Sequence, residues 1–221
     1  MHNAFMASDG HRANLLNGGF QFGATGTYID GDGELWTTHV FFSHPTYSPG
    51  FNGTFSDDDN STFETDIEKV TEEGITAGCG GDRICPDDLV TRAQMAAFLN
   101  RALDLPAGPD AGFNDVGGMF EADINAIANT GITQGCLPSF YCPNDSLSRA
   151  QMAAFLVRAC DLPAGPDAGF GDTNGNLFED ESNRLAAAGI TFGCDGGMNF
   201  CPHDKVTRGQ IAAFLARALG L

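Results

Sequence analysis

The sequence predicts a mainly α protein in which three helix-loop-helix units close into a pseudo-threefold bundle, preceded by a small α/β segment. Three observations predict it. GITAGC (Gly74–Cys79), GITQGC (Gly131–Cys136) and GITFGC (Gly189–Cys194) recur about 57 residues apart. Each is followed by a second shared segment: TRAQMAAFL (Thr91–Leu99), SRAQMAAFL (Ser148–Leu156) and TRGQIAAFL (Thr207–Leu215). The first forty-odd residues share neither pattern and read as a short helix followed by a hairpin.

Within each unit the elements follow from periodicity. In the middle copy Phe120, Ile124, Ile127 and Ala128 recur at helical spacing, and Gly131 supplies a helix-ending residue that tolerates positive φ. The second helix opens on a Ser/Thr-x-x-Gln capping box, Thr91 to Gln94, Ser148 to Gln151 and Thr207 to Gln210, worth about 1 kcal/mol apiece. Met95, Phe98, Leu99 and Ala102 form its apolar face. So short a helix pair cannot bury that face alone, so three copies must share a core. The linker LPAGPDAGF, at Leu105–Phe113 and Leu162–Phe170, joins successive units.

The chain has 221 residues and a formal net charge of -18, from 29 acids against 11 bases. Such a charge repels nucleic acid and anionic headgroups, so an anionic ligand must be held by a local site. No stretch approaches the roughly 18 apolar residues of a membrane span, which excludes membrane insertion through these segments. A secretory signal is also missing from the start.

Six of the seven cysteines form close pairs, one at the same place in each unit: Cys79 with Cys85, Cys136 with Cys142, and Cys194 with Cys201. Local disulfides are the natural reading, and they imply an oxidising compartment and about 2 kcal/mol of loop-closure stabilisation each. Zinc fits less well, because CxxC spacing is missing and His203 is the only histidine of the repeat region. No metal or cofactor is expected. A secreted protein without a leader suggests a chain lacking its beginning. Cys160 aligns with Leu103 and Leu219 and reads as a buried apolar residue.

The Phe-x-Asp openings (Phe55-Ser56-Asp57, Phe113-Asn114-Asp115, Phe170-Gly171-Asp172), the Gly-Ile-Thr-x-Gly turns and the Arg-x-Gln helix starts recur three times in one order. Over about three quarters of the chain this pattern resembles S-layer homology repeats, here 55–112, 113–169 and 170–221. The resemblance implies noncatalytic anchoring of a secreted bacterial protein at the cell surface. Trimers of such modules form clefts that bind acidic secondary cell-wall polysaccharide, often through pyruvate ketals. The family's usual Thr-Arg-Ala-Glu is altered here to Gln94, Gln151 and Gln210, and the cysteine pairs are additional.

Arg92, Arg149 and Arg208, at the first position of a helix, are the candidate ligand-binding residues. A guanidinium takes a carboxylate in a two-pronged bond, and helix amides would add positive potential. The alternative is that each pairs with an acid of its preceding loop, Asp88, Asp145 or Asp204. Thr76, Thr133 and Thr191 of the turn, with Gln94, Gln151 and Gln210, complete the candidate set. Arg101, Arg158 and Arg217 lie late in the second helix, where a cation complements the dipole. Several weak clefts on one polymer would act together through effective concentration.

Oxygens at alternate positions, Asp57, Asp59, Ser61 and Glu68, then Asp172, Asn174 and Asn176, resemble a calcium loop. The central glycine is replaced by Thr62 and Leu177, and Asn183 stands where a bidentate glutamate is needed, so solvated turns explain them better.

Residues 1–42 differ in kind. Gly26–Ile29, a turn at Asp30–Gly33 and Leu35–Phe42 predict a hairpin, with His39 facing solvent. Ser8–Asn17, then Phe22-Gly23 and Trp36-Thr37-Thr38, resemble the C-terminal part of bacterial CAP domains (cysteine-rich secretory and pathogenesis-related proteins). His11 matches one cleft histidine of that family. Its other histidine and both acids belong to an earlier half, so His11 alone supports no catalysis or firm metal binding. Residues 43–54 read as a linker. A second reading makes the chain the end of a secreted CAP hydrolase or lipid-binding protein with purely structural repeats. A third has the repeats self-associate into a lattice.

Overall fold

The computed structural model describes residues 22–29, 35–42, 53–59 and 61–221. The chain divides into two units, Met1–Phe51 and Asn52–Leu221. In the first, β1 (Phe22–Ile29) and β2 (Leu35–Phe42) pair antiparallel, with Phe22 opposite Phe42 and Ile29 opposite Leu35. The expected hairpin is present, and its first strand starts at Phe22 rather than Gly26. His39 lies on β2 opposite Thr25. The turn Asp30–Gly33, the Ser8–Asn17 segment with His11, and positions 43–52 of the expected linker lie outside the described residues.

The second unit is helical, with six α-helices among the described residues: α1 (Glu64–Glu72), α2 (Arg92–Leu103), α3 (Glu121–Asn129), α4 (Arg149–Ala159), α5 (Glu179–Ala187) and α6 (Arg208–Leu219). Gly131, at φ 80°, follows α3 in the left-handed region that an L side chain resists. Ile124 and Ile127 of α3 are buried, as their spacing predicts.

Helices pack between repeats: α2 on α3, α4 on α5, and α6 back on α1. The backbone closes the same circuit. Val90 N–H donates to the Val206 carbonyl (3.0 Å), Val206 N–H to Leu147 (3.1 Å), and Leu147 N–H to Val90 (2.8 Å). One residue from each repeat thus forms a ring of three hydrogen bonds, and all three side chains are fully buried. Each immediately precedes a helix N-cap, and Met95, Met152 and Ile211 at the fourth helical position are buried too. These are the two positions of a hydrophobic staple, which fixes the chain's angle of entry into the helix.

One departure between repeats has a packing cause. Gly209 stands where the other copies have Ala93 and Ala150. A Cβ there would lie 2.6 Å from Cδ2 of Phe63, so the third copy gives up its methyl to admit the aromatic ring that precedes α1.

Candidate binding clefts at the repeat seams

Each second helix starts against the loop of the next repeat. Arg92 N–H donates to the Asp145 carbonyl and Ala93 N–H to Pro143; Arg149 and Ala150 donate to Asp204 and Pro202; Arg208 and Gly209 donate to Asp88 and Pro86. The third amide is capped locally: Thr91, Ser148 and Thr207 accept from Gln94, Gln151 and Gln210 N–H, and each glutamine Oε1 accepts the cap residue's N–H in return. This corrects one expectation. The helix-start amides are already bonded to neutral carbonyls and caps, so a ligand must be met by side chains.

The three arginines are buried in these seams, at 4–7% exposure. Nε of Arg92 donates to the Tyr141 carbonyl at 2.8 Å, Nε of Arg149 to Phe200 at 2.7 Å, and Nε of Arg208 to Ile84 at 2.6 Å. Aromatic rings flank them. Arg92 lies 4.8 Å from the Tyr141 ring and 5.4 Å from Phe155, Arg149 lies 5.0 Å from Phe200 and 5.3 Å from Phe214, and Arg208 lies 5.5 Å from Phe98. Burial draws all three guanidinium pKa values down, opposed by acids of the neighbouring repeat. An arginine nevertheless stays charged in a protein.

The alternative of bracing by the preceding loop is also corrected. Arg92 senses Tyr141, then Asp145 and Asp115, Arg149 senses Asp204 and Asp172, and Arg208 senses Asp88 and Asp57, so every one of these groups comes from the next repeat around the ring. No ion pair within 4 Å joins these arginines to a carboxylate among the described residues. The outer nitrogens differ between seams. Nη2 of Arg208 donates to Thr76 Oγ1 at 3.3 Å, whereas Nη2 of Arg92 and of Arg149 has no hydrogen-bond partner.

The candidate residues separate into several environments. Arg149, Thr191 and Gln210 meet in one cleft of about 270 Å³, walled by Phe63, Phe192 and Phe214 and closed by Arg217. Arg217 therefore does more than complement a helix end: Nη1 donates to the Ile190 carbonyl at 3.3 Å and its guanidinium lies 5.3 Å from the Phe192 ring. Thr76 and Arg208 instead line a void of about 10 Å³. Gln151 borders a separate polar cleft of about 580 Å³ with Asp172, Asn176, Phe178 and His203, and Thr133 borders one of about 380 Å³ with Asn129 and Gln134. Thr76, Thr133 and Thr191 each accept the N–H of the glycine two residues on, at 3.2 Å. Arg101 Nη1 donates to the Ile75 carbonyl, and Arg158 approaches Glu181 at 3.9 Å.

The three cysteine pairs are disulfides, with Cα atoms 6.0, 6.0 and 6.2 Å apart. Cys160, half-buried at the end of α4, is not among them. The aspartate of each Phe-x-Asp opening binds the far side of the disulfide loop. Asp57 accepts from Ile84 and Cys85 N–H, Asp115 from Tyr141 and Cys142, and Asp172 from Phe200 and Cys201, all within 2.7–2.9 Å. At Asp115 desolvation pushes the pKa up, but these amides, its own N–H and Arg92 outweigh it and leave the carboxyl below the usual range.

Most of the oxygens that resemble a calcium loop are bonded to the fold. Besides the two aspartates, Glu68 accepts Thr54 N–H and hydroxyl, Asn183 accepts Ala168 N–H, Ser61 accepts Phe63 N–H and Asn176 accepts Phe178 N–H. The longer-range bonds brace the fold, while those of Ser61 and Asn176 to the N–H two residues on are the turns expected ahead of a helix.

Sequence reading missed the seam aromatics. Their signal was present: the Phe of AAFL recurs six residues after each arginine, too regularly for a general apolar face. It also passed over Asp58, which is fully buried with both carboxylate oxygens unpaired, where the other repeats carry Val116 and Thr173.

Comparison with known proteins agrees with the family resemblance, the matched domain falling on the first repeat. Residues 54–96 match the S-layer homology domain. The chain is 30% identical over 169 residues to a cell surface protein of Thermoanaerobacter kivui, covering 73% of this chain and 20% of that protein. It is 27% identical over 160 residues to an S-layer protein of Bacillus licheniformis (69% and 18%), and 35% identical over 94 residues to an endoglucanase of Bacillus sp. strain KSM-635 (42% and 10%). The chain thus spans a fifth or less of the curated relatives it matches. Residues 54–96 therefore carry an S-layer homology domain, and over most of its repeat region the chain is similar to S-layer proteins.

Proposed function

We propose that residues 55–112, 113–169 and 170–221 form one noncatalytic anchoring module that binds an acidic cell-wall polysaccharide through its repeat seams. The observation that carries this reading is the Arg149 cleft. A guanidinium lining the cleft, a second cation in Arg217 and three aromatic walls suit a sugar ring bearing a carboxylate. The charge of -18 makes such a local cationic site the means by which this chain could hold an anion. Relatives named as S-layer protein and as endoglucanase each share part of this chain, which fits a module whose role is independent of what it carries.

Residues 1–42 are proposed as the end of a CAP-like domain displayed by that module, on the likeness around His11 and Trp36-Thr37-Thr38. The module's place is then outside the cell, held on the wall.

The test is sedimentation of the full chain with purified cell envelope. Phe192 is 70% exposed, so Phe192→Ala should weaken sedimentation without lowering the melting temperature. Arg149→Gln should abolish binding at that seam. Equal sedimentation of wild type and both variants would sink the polysaccharide reading.

A further inference from the structure

The disulfide of each repeat is linked to the arginine of its neighbour through a single peptide group. The N–H of Cys201 donates to Asp172 Oδ2 at 2.8 Å, and the carbonyl of the same peptide, that of Phe200, accepts Nε of Arg149 at 2.7 Å. The other seams repeat the arrangement. The Tyr141–Cys142 peptide lies between Asp115 and Arg92, and the Ile84–Cys85 peptide between Asp57 and Arg208. Each peptide is therefore polarised by a carboxylate at its N–H and a guanidinium at its oxygen, and such chains strengthen each other's bonds. The arginine's charge is balanced through the backbone, which leaves its outer nitrogens free of a direct ion pair.

What fixes the peptide plane is the cysteine. Cys85, Cys142 and Cys201 have φ of 54°, 59° and 57°, a left-handed conformation uncommon for residues other than glycine. Rotation about that φ turns the attached peptide, and with it the carbonyl that holds the arginine. The disulfide to Cys79, Cys136 or Cys194 ties the same residue to the near side of its loop.

We propose that Cys201 and Asp172 are positioning residues for Arg149 across the repeat seam, and likewise Cys142 with Asp115 for Arg92 and Cys85 with Asp57 for Arg208. The binding geometry is then redox-sensitive. An external dithiol breaks the Cys194–Cys201 bond, its own two sulfurs join, and its two protons pass to the cysteine thiols. Cys201 is released from the left-handed region, and the Phe200 carbonyl turns off Arg149. This inference rests on the anchoring reading for its consequence, but the positioning itself is measured separately.

The experiment follows hydrogen exchange at the arginine Nε–H groups of the full chain by NMR, alongside envelope sedimentation. In the Cys194→Ser/Cys201→Ser variant, Arg149 Nε–H should exchange at least about tenfold faster while Arg92 Nε–H keeps its protection, as expected of local rather than global opening. Sedimentation should fall with it, and dithiothreitol should expose all three arginines of the wild type. Unchanged exchange at Arg149 overturns the inference. Should the double variant lose protection at Arg92 as well, Asp172→Asn with every disulfide intact decides: faster exchange at Arg149 alone supports positioning, and no change overturns it. If exchange behaves as expected but the oxidised wild type fails to sediment with envelope, the anchoring reading falls and the positioning stands.

Discussion

Arg92 and Tyr141 exchange two hydrogen bonds across the seam between the first and second repeats: Nε of Arg92 donates to the tyrosine carbonyl at 2.8 Å, and the tyrosine hydroxyl donates to the arginine carbonyl at 2.7 Å. The hydroxyl is fully buried and desolvation pushes its pKa far up, so it acts as a donor throughout the physiological range. Tyr141→Phe should destabilise the fold by about 1 kcal/mol, the usual value of one such bond, measured by urea unfolding. The corresponding Phe200 seam has no such hydroxyl, and an unchanged midpoint for Tyr141→Phe would show the bond to be neutral.

Asp58 should make the fold sensitive to pH. Burial, then Glu68, Glu64 and Asp57, push its carboxyl up to about 6, against the lowering effect of its own N–H. The folded state therefore holds this proton more tightly than the unfolded chain, whose value is 3.8. Its contribution to stability is greatest below about pH 4 and is lost as pH rises through about 6. Asp58→Val, the residue of the second repeat, should raise the melting temperature at pH 7 and flatten its decline between pH 4 and 7.

Gly209→Ala sets two effects against each other. Alanine is favoured over glycine in a helix by about 1 kcal/mol, whereas forcing a methyl into a filled space costs about 1–3 kcal/mol. With Phe63 2.6 Å from the added Cβ the clash should win, so the variant unfolds at lower urea. In a Phe63→Ala background the sign should reverse, and the double-mutant cycle reports the coupling.

The glutamines of the capping boxes tolerate the acid that the S-layer homology family usually has there. Gln151→Glu keeps an oxygen for Ser148 N–H and should leave stability nearly unchanged, while Ser148→Ala should cost about 1 kcal/mol. Thermal melts of the two variants give the comparison.

The legible part of this fold was whatever repeats locally. Caps, helix periods and the hairpin depend on neighbours in sequence, and so Thr91 to Gln94, Ile124 to Ile127 and Leu35–Phe42 could be placed from residue type alone. Cysteine pairing was legible for the same reason, since six or seven residues separate the partners. What could not be read was the partner across each seam. Asp145 precedes Arg149 in sequence but faces Arg92, because a helix start is completed by the following repeat and not by its own loop. Arg217 does lie in the last turn of α6, as its position in the sequence implies, but its place beside Phe192 depends on how far α6 carries it past the Ile190 turn, a distance that no short motif encodes.

The circuit through Val90, Leu147 and Val206 makes the module indivisible. A chain cut down to two repeats would expose one helix start whose first amides have lost their carbonyls, and another loop whose carbonyls have lost their arginine. Gain or loss of a single copy would break the circle at both ends at once, so closure itself holds the copy number at three.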